Sequence, residues 1–313
     1  MKNIWQLFRQ HNRISLIYLL LIVAYLYQSL VVPPNPSTLH LYHITAGHLK
    51  LLLLTIEIPY VVIWLIAFYG FLRLRDYATK IRGEKDGQGF FTLSQGLFLL
   101  VLWLPISSVM TNFFKQYYTG HPASTASLVR LQVYIDLLLL LVGFYLIYLG
   151  SQRLLKVISD TKFSASLPII LLFIAYASFY VMLALHDPSR RYPADGVAVA
   201  TYYEPDWLIT LTVLIPRLCY WFLGIQAVYN LFVFRNNVKG IIYKNGIKTF
   251  AIGISGTILI TMLLRSLQSI STTLVKFHLN FLLIIIYLLL IVIAGAYIYV
   301  ARGSVQLQKL EEL

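Results

Sequence analysis

The chain has 313 residues, 59% of them hydrophobic and only 12% charged, with a mean hydropathy of +0.75. Soluble domains carry about 25% charged residues, so this composition excludes an ordinary soluble enzyme or binding module and points to lipid. The formal net charge of +13 implies no nucleic-acid partner, because the Lys and Arg gather between greasy segments, where an anionic cytoplasmic leaflet attracts them.

In chain order, the basic stretch MKNIWQLFRQHNR precedes an apolar run, Ile14–Val32, that ends in VVPPNP. A cleaved signal would have a shorter core and small residues at its end, so this run reads as an uncleaved first span. The following HLYHITAGH carries His40, His43 and His48. Further runs of spanning length are Leu49–Leu72, Phe90–Phe114, Leu131–Gly150, Leu167–Leu185, Trp207–Phe234, Thr249–Ile270 and Phe277–Ala301. Each approaches the 20 or so residues that a helix needs to cross a bilayer, and none alternates with the period of two of a β-barrel. The longest stretch outside a span, His186 to Asp206, contains RRYPADG and YYEPDW and suits a loop lying at the headgroups. The tail SVQLQKLEEL has the pattern that opens a coiled coil, over ten residues only.

Seventeen Lys and Arg fall on the side that holds both termini, in the loops that follow the second, fourth and sixth runs and in the two ends. Six fall on the other side. That asymmetry puts the N- and C-termini in the cytoplasm of a cell inner (plasma) membrane. The one cysteine, Cys219, excludes an intramolecular disulfide and a Cys-pair metal site.

TIEIPYVVIW (Thr55–Trp64) and TVLIPRLCYW (Thr212–Trp221) share T-x-x-I-P-x-x-x-x-W at an offset of 157, and Gly83 and Gly240 keep that offset. SLIYLLLIVAY from Ser15 matches SLPIILLFIAY from Ser166, and Gly143-x-Tyr145 matches Gly295-x-Tyr297 at an offset of 152. The third and seventh runs agree only loosely. The order of matches predicts an all-α integral membrane protein of eight transmembrane helices. It would be built as a tandem 4+4 parallel repeat, residues 1–160 and 161–313, with a pseudo-two-fold along the membrane normal.

Glu57, Asp136, Arg217 and Arg265 lie well inside spans. Each costs about 2.5–3.5 kcal/mol at a helix centre, so two acids and two bases at related depths are expected to pair as an intramembrane charge cluster. Pro59 and Pro216 kink the two matched helices and free the carbonyls of Thr55 and Thr212 beside that cluster. A structural lock and a gated or proton-coupled cavity both fit these charges. His40, His43 and His48 are the weak candidates for an external metal or pH site, and ordinary polar loop histidines account for them better, because the loop lacks a fixed scaffold. No haem-ligating histidine within a span, retinal lysine, phosphate loop or nucleophile–base constellation is visible, so no cofactor is implied and an enzyme is the least favoured class. Gly253, Ser255 and Gly256, with Ala294-Gly295-Ala296, permit close helix approach.

The stretch YYEPDWLITLTVLIPRLCYWFLGIQAVYNLF, the following VKGIIY and the terminal QKLEEL resemble uncharacterised multi-pass inner-membrane proteins of small-genome bacteria. That family has no assigned activity, and the resemblance implies a bacterial inner membrane and nothing sharper. Two functions follow from the residues: a small-molecule or ion transporter or channel-like protein, or a non-transporting sensor or assembly protein whose buried charges are structural. The lipid bilayer is the one definite partner; a homo-oligomer or a membrane partner stays open.

If Glu57 and Arg217 pair, Glu57→Gln and Arg217→Gln each lower the folded yield, and the swapped pair Glu57→Arg/Arg217→Glu partly restores it. Additive losses measured by detergent-extracted monomer recovery refute the pairing.

Overall fold

The computed structural model describes residues 4–30, 46–84, 86–118, 122–158, 170, 173–174, 177, 207–238, 240–274 and 279–311. Among them regular structure is helical throughout: α1 (Ile4–Gln10), α2 (Asn12–Leu30), α3 (Ala46–Lys80), α4 (Gly87–Tyr118), α5 (Pro122–Ile158), α6 (Trp207–Asn237), α7 (Ile241–Leu274) and α8 (Leu279–Glu311). The fifth apolar run, Leu167–Leu185, lies outside the described residues save for four helical positions. Four described segments are long and apolar enough to cross a membrane: Ile58–Lys80, Gly87–Met110, Leu138–Ile158 and Leu218–Asn237.

The helices outrun the apolar runs at the basic end. Arg73, Arg75 and Lys80, read from sequence as loop residues, occupy the last turns of α3, and Arg153 and Lys156 do the same in α5. A helix satisfies its own backbone, so it continues through the headgroup zone until a turn is built in. Between α3 and α4 that turn is tight: a Cβ on Gly87 would stand 1.7 Å from the Ile81 carbonyl oxygen, which only glycine permits. Between α6 and α7, Gly240 takes φ +91°, the left-handed turn that stops a helix. Gly83, matched to Gly240 by offset, has open space around it and no such backbone. The C-terminal tail prolongs α8 to Glu311 and buries Ser304, Leu307 and Gln308.

Helices α3 to α8 form a closed circuit in which each packs on the next and α8 returns to α3; α1 and α2 sit against α3, and α2 also reaches α4. Backbones come together along two glycine-lined seams and at one point of a third, where a Cβ on Gly70 of α3 would meet the Tyr297 carbonyl oxygen of α8 at 2.9 Å. On α4 and α5, a Cβ on Gly96 would meet the Gly143 carbonyl oxygen at 2.6 Å, and one on Gly150 would meet the Leu93 nitrogen at 2.7 Å. On α7 and α8, a Cβ on Gly253 would meet the Ala296 carbonyl oxygen at 2.8 Å, and one on Gly303 would meet the Phe250 nitrogen at 2.6 Å. Gly89 lies against Leu154 and Gly246 against Leu307 in the same manner. Small residues spaced by seven on both partners make a straight strip for the neighbouring backbone. Gly256 also faces Ala296, whereas Gly295 has nothing within 4 Å and lies off the seam.

Aromatic packing fills the rest. Tyr18 on α2 stacks on Phe68 of α3 with centroids 4.2 Å apart and donates its hydroxyl to the Trp64 carbonyl at 3.0 Å. Phe144 on α5 stacks on Tyr220 of α6 at 5.3 Å. Outward faces carry exposed Leu16, Leu20, Val23 and Tyr27 on α2, and Leu218, Phe222, Ile225 and Tyr229 on α6. Water would penalise such faces at about 25 cal/mol per Å², and acyl chains would not.

Valine at Gly96 or Gly253 forces the paired helices apart and costs about 1–3 kcal/mol, the usual range for overpacking. The same change at Gly295 is neutral. Thermal midpoints in detergent check this, and a tolerant Gly96 or a sensitive Gly295 would contradict the seams.

Candidate functional site

The side chains of Glu57, Asp136, Arg217 and Arg265 lie outside the described residues, although the backbone places Glu57 on α3, Asp136 on α5, Arg217 on α6 and Arg265 on α7. His40 and His43 lie outside the described residues, as does the side chain of His48. Pro59 sits inside a continuous α3, and α6 runs uninterrupted past Pro216.

What the described residues do bring together is a polar group at the opposite, basic end of the bundle. Tyr69, Arg73, Asp76 and Tyr77 fall on one face of α3 at spacings of four, seven and eight from the first. Arg73 is 5% exposed, Asp76 1% and Tyr77 2%. A charge so buried needs hydrogen-bonding partners. The Arg73 Nε donates to the Tyr69 hydroxyl at 2.9 Å, and its guanidinium lies 5.2 Å from the Tyr69 ring centroid. Gln308 Nε2, on the last turns of α8, donates to Asp76 Oδ2 at 2.9 Å and so ties the C-terminal helix to α3.

Asp86, in the turn before α4, accepts a short hydrogen bond from the Tyr243 hydroxyl on the first turn of α7. Burial pushes the Tyr243 phenol far above its ordinary range, and Tyr77 and Asp86 act in the same direction. Tyr243 therefore remains a donor across the physiological range. Beside this bond Tyr77 meets Phe90 edge-on at 5.1 Å, and Phe90 meets Phe250 at 5.9 Å, across the circuit from α4 to α7.

The α5–α6 seam carries a milder polar set. Asn230 Nδ2 donates to Ser151 Oγ at 3.1 Å, and Ser151 donates on to the Tyr148 carbonyl at 2.7 Å. Among the described residues no three His, Cys, Asp or Glu side chains are grouped to hold a metal ion. What the described residues do at this end is tie helices together through hydrogen bonds and bury charge.

None of the basic-end residues stood out in the sequence, where Asp76 and Asp86 read as members of a solvated basic loop. The signal for Asp76 was its helical phase with Tyr69 and Arg73. Comparison with protein-family models, curated proteins and solved structures finds no match.

Gln308→Leu deprives the buried Asp76 of a donor and destabilises by about 1–3 kcal/mol. Gln308→Glu is worse at neutral pH, because two carboxylates then share one site. Its pKa is raised, so the lost stability returns as the pH falls from about 8 to about 5 and one carboxylate takes up a proton. Thermal midpoints against pH for the three proteins test this; parallel profiles would dismiss Asp76 as the partner.

Proposed function

We propose that the chain is an eight-span bacterial inner-membrane protein made by tandem duplication of a four-helix unit, and that it works as a small transporter or channel-like protein. The observation that carries the duplication is the Asp86–Tyr243 bond, because the two residues stand 157 positions apart. That is the offset relating Pro59 to Pro216 and Trp64 to Trp221. In a two-fold arrangement a position meets its own mate only next to the axis. Equivalent positions in hydrogen-bond contact therefore mark where the axis passes.

The backbone seams support the same reading residue for residue. Gly96 against Gly143 and Ile147 reappears as Gly253 against Ala296 and Val300; Gly150 against Leu93 reappears as Gly303 against Phe250. The first helix of each seam is offset by 157 and the second by 153, one more than the Gly-x-Tyr match suggests. The order of neighbours repeats as well, since α3–α4–α5 followed by α6 has its counterpart in α6–α7–α8 followed by α3.

An axis between two related halves is where parallel-repeat transporters place their pathway. Here Tyr77, Phe90, Phe250 and the Asp86–Tyr243 bond lie at the basic, inward end of that axis, as an inner gate would. Glu57, Asp136, Arg217 and Arg265 enter the spans from the other end, where a polar cavity would recognise its cargo. One observation favours the second reading, a non-transporting sensor or assembly protein. Asp76 and Asn230, the buried polar side chains at the two seams between the halves, both sit in hydrogen bonds that look purely structural.

The two readings part on leakage. With the chain reconstituted in vesicles, Phe90→Ala/Phe250→Ala opens the inner plug and raises potassium or proton leak several-fold over the parent in dye-based flux measurements. An unchanged leak from a folded double variant removes the gate and leaves the structural reading.

A further inference from the structure

The corner where α3 turns into α4 holds two cations over one aromatic ring. The Arg75 guanidinium carbon lies 4.0 Å from the Phe91 ring centroid and that of Arg82 4.6 Å. Two like charges drawn to one side chain repel each other, and an arrangement of this kind normally contains a carboxylate. Here the acids of the corner are occupied elsewhere: Asp76 accepts from Gln308 and Asp86 from Tyr243, while Glu84 is exposed in the turn. Among the described residues neither Arg75 nor Arg82 forms an ion pair. Arg75 has only a long 3.4 Å bond from Nη1 to Ser94 Oγ, and that hydroxyl donates to the Phe91 carbonyl.

A guanidinium held over an aromatic face is attracted by the ring and still has N–H donors left over, five in all, which are the groups that grip phosphate. Arg75 lies in the last turns of the apolar segment Ile58–Lys80, and Arg82 lies just beyond it in the turn. That depth is where lipid phosphates sit. The second half does not repeat the device: the positions 157 residues on from Arg75 and Phe91 are Phe232 and Lys248.

We propose that Arg75 and Arg82, held on Phe91, form a single phosphate-binding site at the basic end of the α3–α4 corner, filled by the phosphate of an anionic lipid headgroup. The site rests on the reading of the chain as a membrane protein and not on its being a transporter. A monoanionic phosphate neutralises the mutual repulsion of the two guanidiniums and fixes the turn that leads into Asp86 and the axial bond. A free phosphate or phosphate ester presents the same chemistry, and the experiment below separates the two sources.

The full-length protein, purified in detergent, is mixed with equal amounts of phosphatidylglycerol and phosphatidylcholine, and bound lipid is counted by native mass spectrometry. The parent protein retains phosphatidylglycerol in preference to phosphatidylcholine. Arg75→Gln/Arg82→Gln reduces that retention about tenfold or more, from roughly 1 kcal/mol for each basic group near a membrane surface. Phe91→Leu keeps both charges and loses less, whereas Arg302→Gln/Lys309→Gln, at exposed basic positions elsewhere, retains lipid as the parent does. Equal phosphatidylglycerol retention by the parent and a folded double variant, or no preference over phosphatidylcholine and no phosphate binding, overturns the proposal. Binding of inorganic phosphate that the double variant loses, without lipid retention, supports the site and assigns it to a soluble anion. If the double variant does not fold, Arg82→Gln and Phe91→Leu decide by the same criteria. A chain that needs no detergent for extraction would defeat the membrane reading separately, with the phosphate arm still interpretable.

Discussion

Close backbone approach along two glycine-lined seams is the constraint on which the rest of this bundle depends. Between helices in lipid there is little hydrophobic gain, because acyl chains are as apolar as leucine, and association relies on van der Waals contact and interhelical hydrogen bonds. Gly96 with Gly143 and Gly253 with Ala296 remove the side chains that would hold the helices apart, so α4–α5 and α7–α8 become the tightest pairs. The seams between these pairs and their neighbours carry large buried rings such as Phe144, Tyr220, Trp64 and Phe68, with one further backbone approach where Gly70 of α3 faces the Tyr297 carbonyl of α8.

Two buried polar contacts fall on the seams between the pairs. Asp76 with Gln308 joins α3 to α8, and Asn230 with Ser151 joins α6 to α5. On the proposed repeat the two sets would occupy related places, since Ser151 and Ser304 differ by 153 and Arg73 and Asn230 by 157. Yet only one seam carries charge: the mates of Asp76 and Gln308 by the same offsets are Val233 and Leu155. An apolar pair would satisfy that place at lower cost, as the other seam demonstrates, because desolvating a carboxylate outweighs the single hydrogen bond it accepts. Retaining Asp76 in one half alone therefore marks that seam as specified rather than merely filled.

Much of the architecture was legible in the sequence because lipid imposes a coarse rule. Long apolar runs must be helices, and the α3, α4, α5 and α6 segments follow it closely. The ends were not legible: Arg73, Asp76 and Gln308 look like loop or tail residues by composition, and only their helical phase reveals an inward face. The third and seventh runs match only loosely, yet Gly89 and Gly96 stand 157 positions before Gly246 and Gly253, and all four lie against a neighbouring helix. In greasy segments apolar identities are interchangeable and glycines at a backbone contact are not. The sequence reading placed its candidate site at Glu57, Asp136, Arg217 and Arg265 by the cost of charge in hydrocarbon. That rule finds an isolated charge at mid-span and overlooks a charge near a helix end, where snorkelling looks cheap and Asp76 is nonetheless 1% exposed.

On the proposed tandem repeat, the Asp86–Tyr243 bond is where the two halves would meet as one unit. A homodimer must place identical residues at the axis, so the partners there are two acids or two phenols. Two acids would repel, and two phenols would gain one weak bond. Under the proposed duplication, a single chain lifts that restriction and lets an acid on one side meet a donor on the other. The pair of arginines over Phe91, without a counterpart at the positions 157 residues on, would belong to the same loss of symmetry. Asymmetry at the axis makes the two halves inequivalent to anything passing along it or docking at its end. A tandem repeat can exploit that freedom; a symmetric dimer cannot.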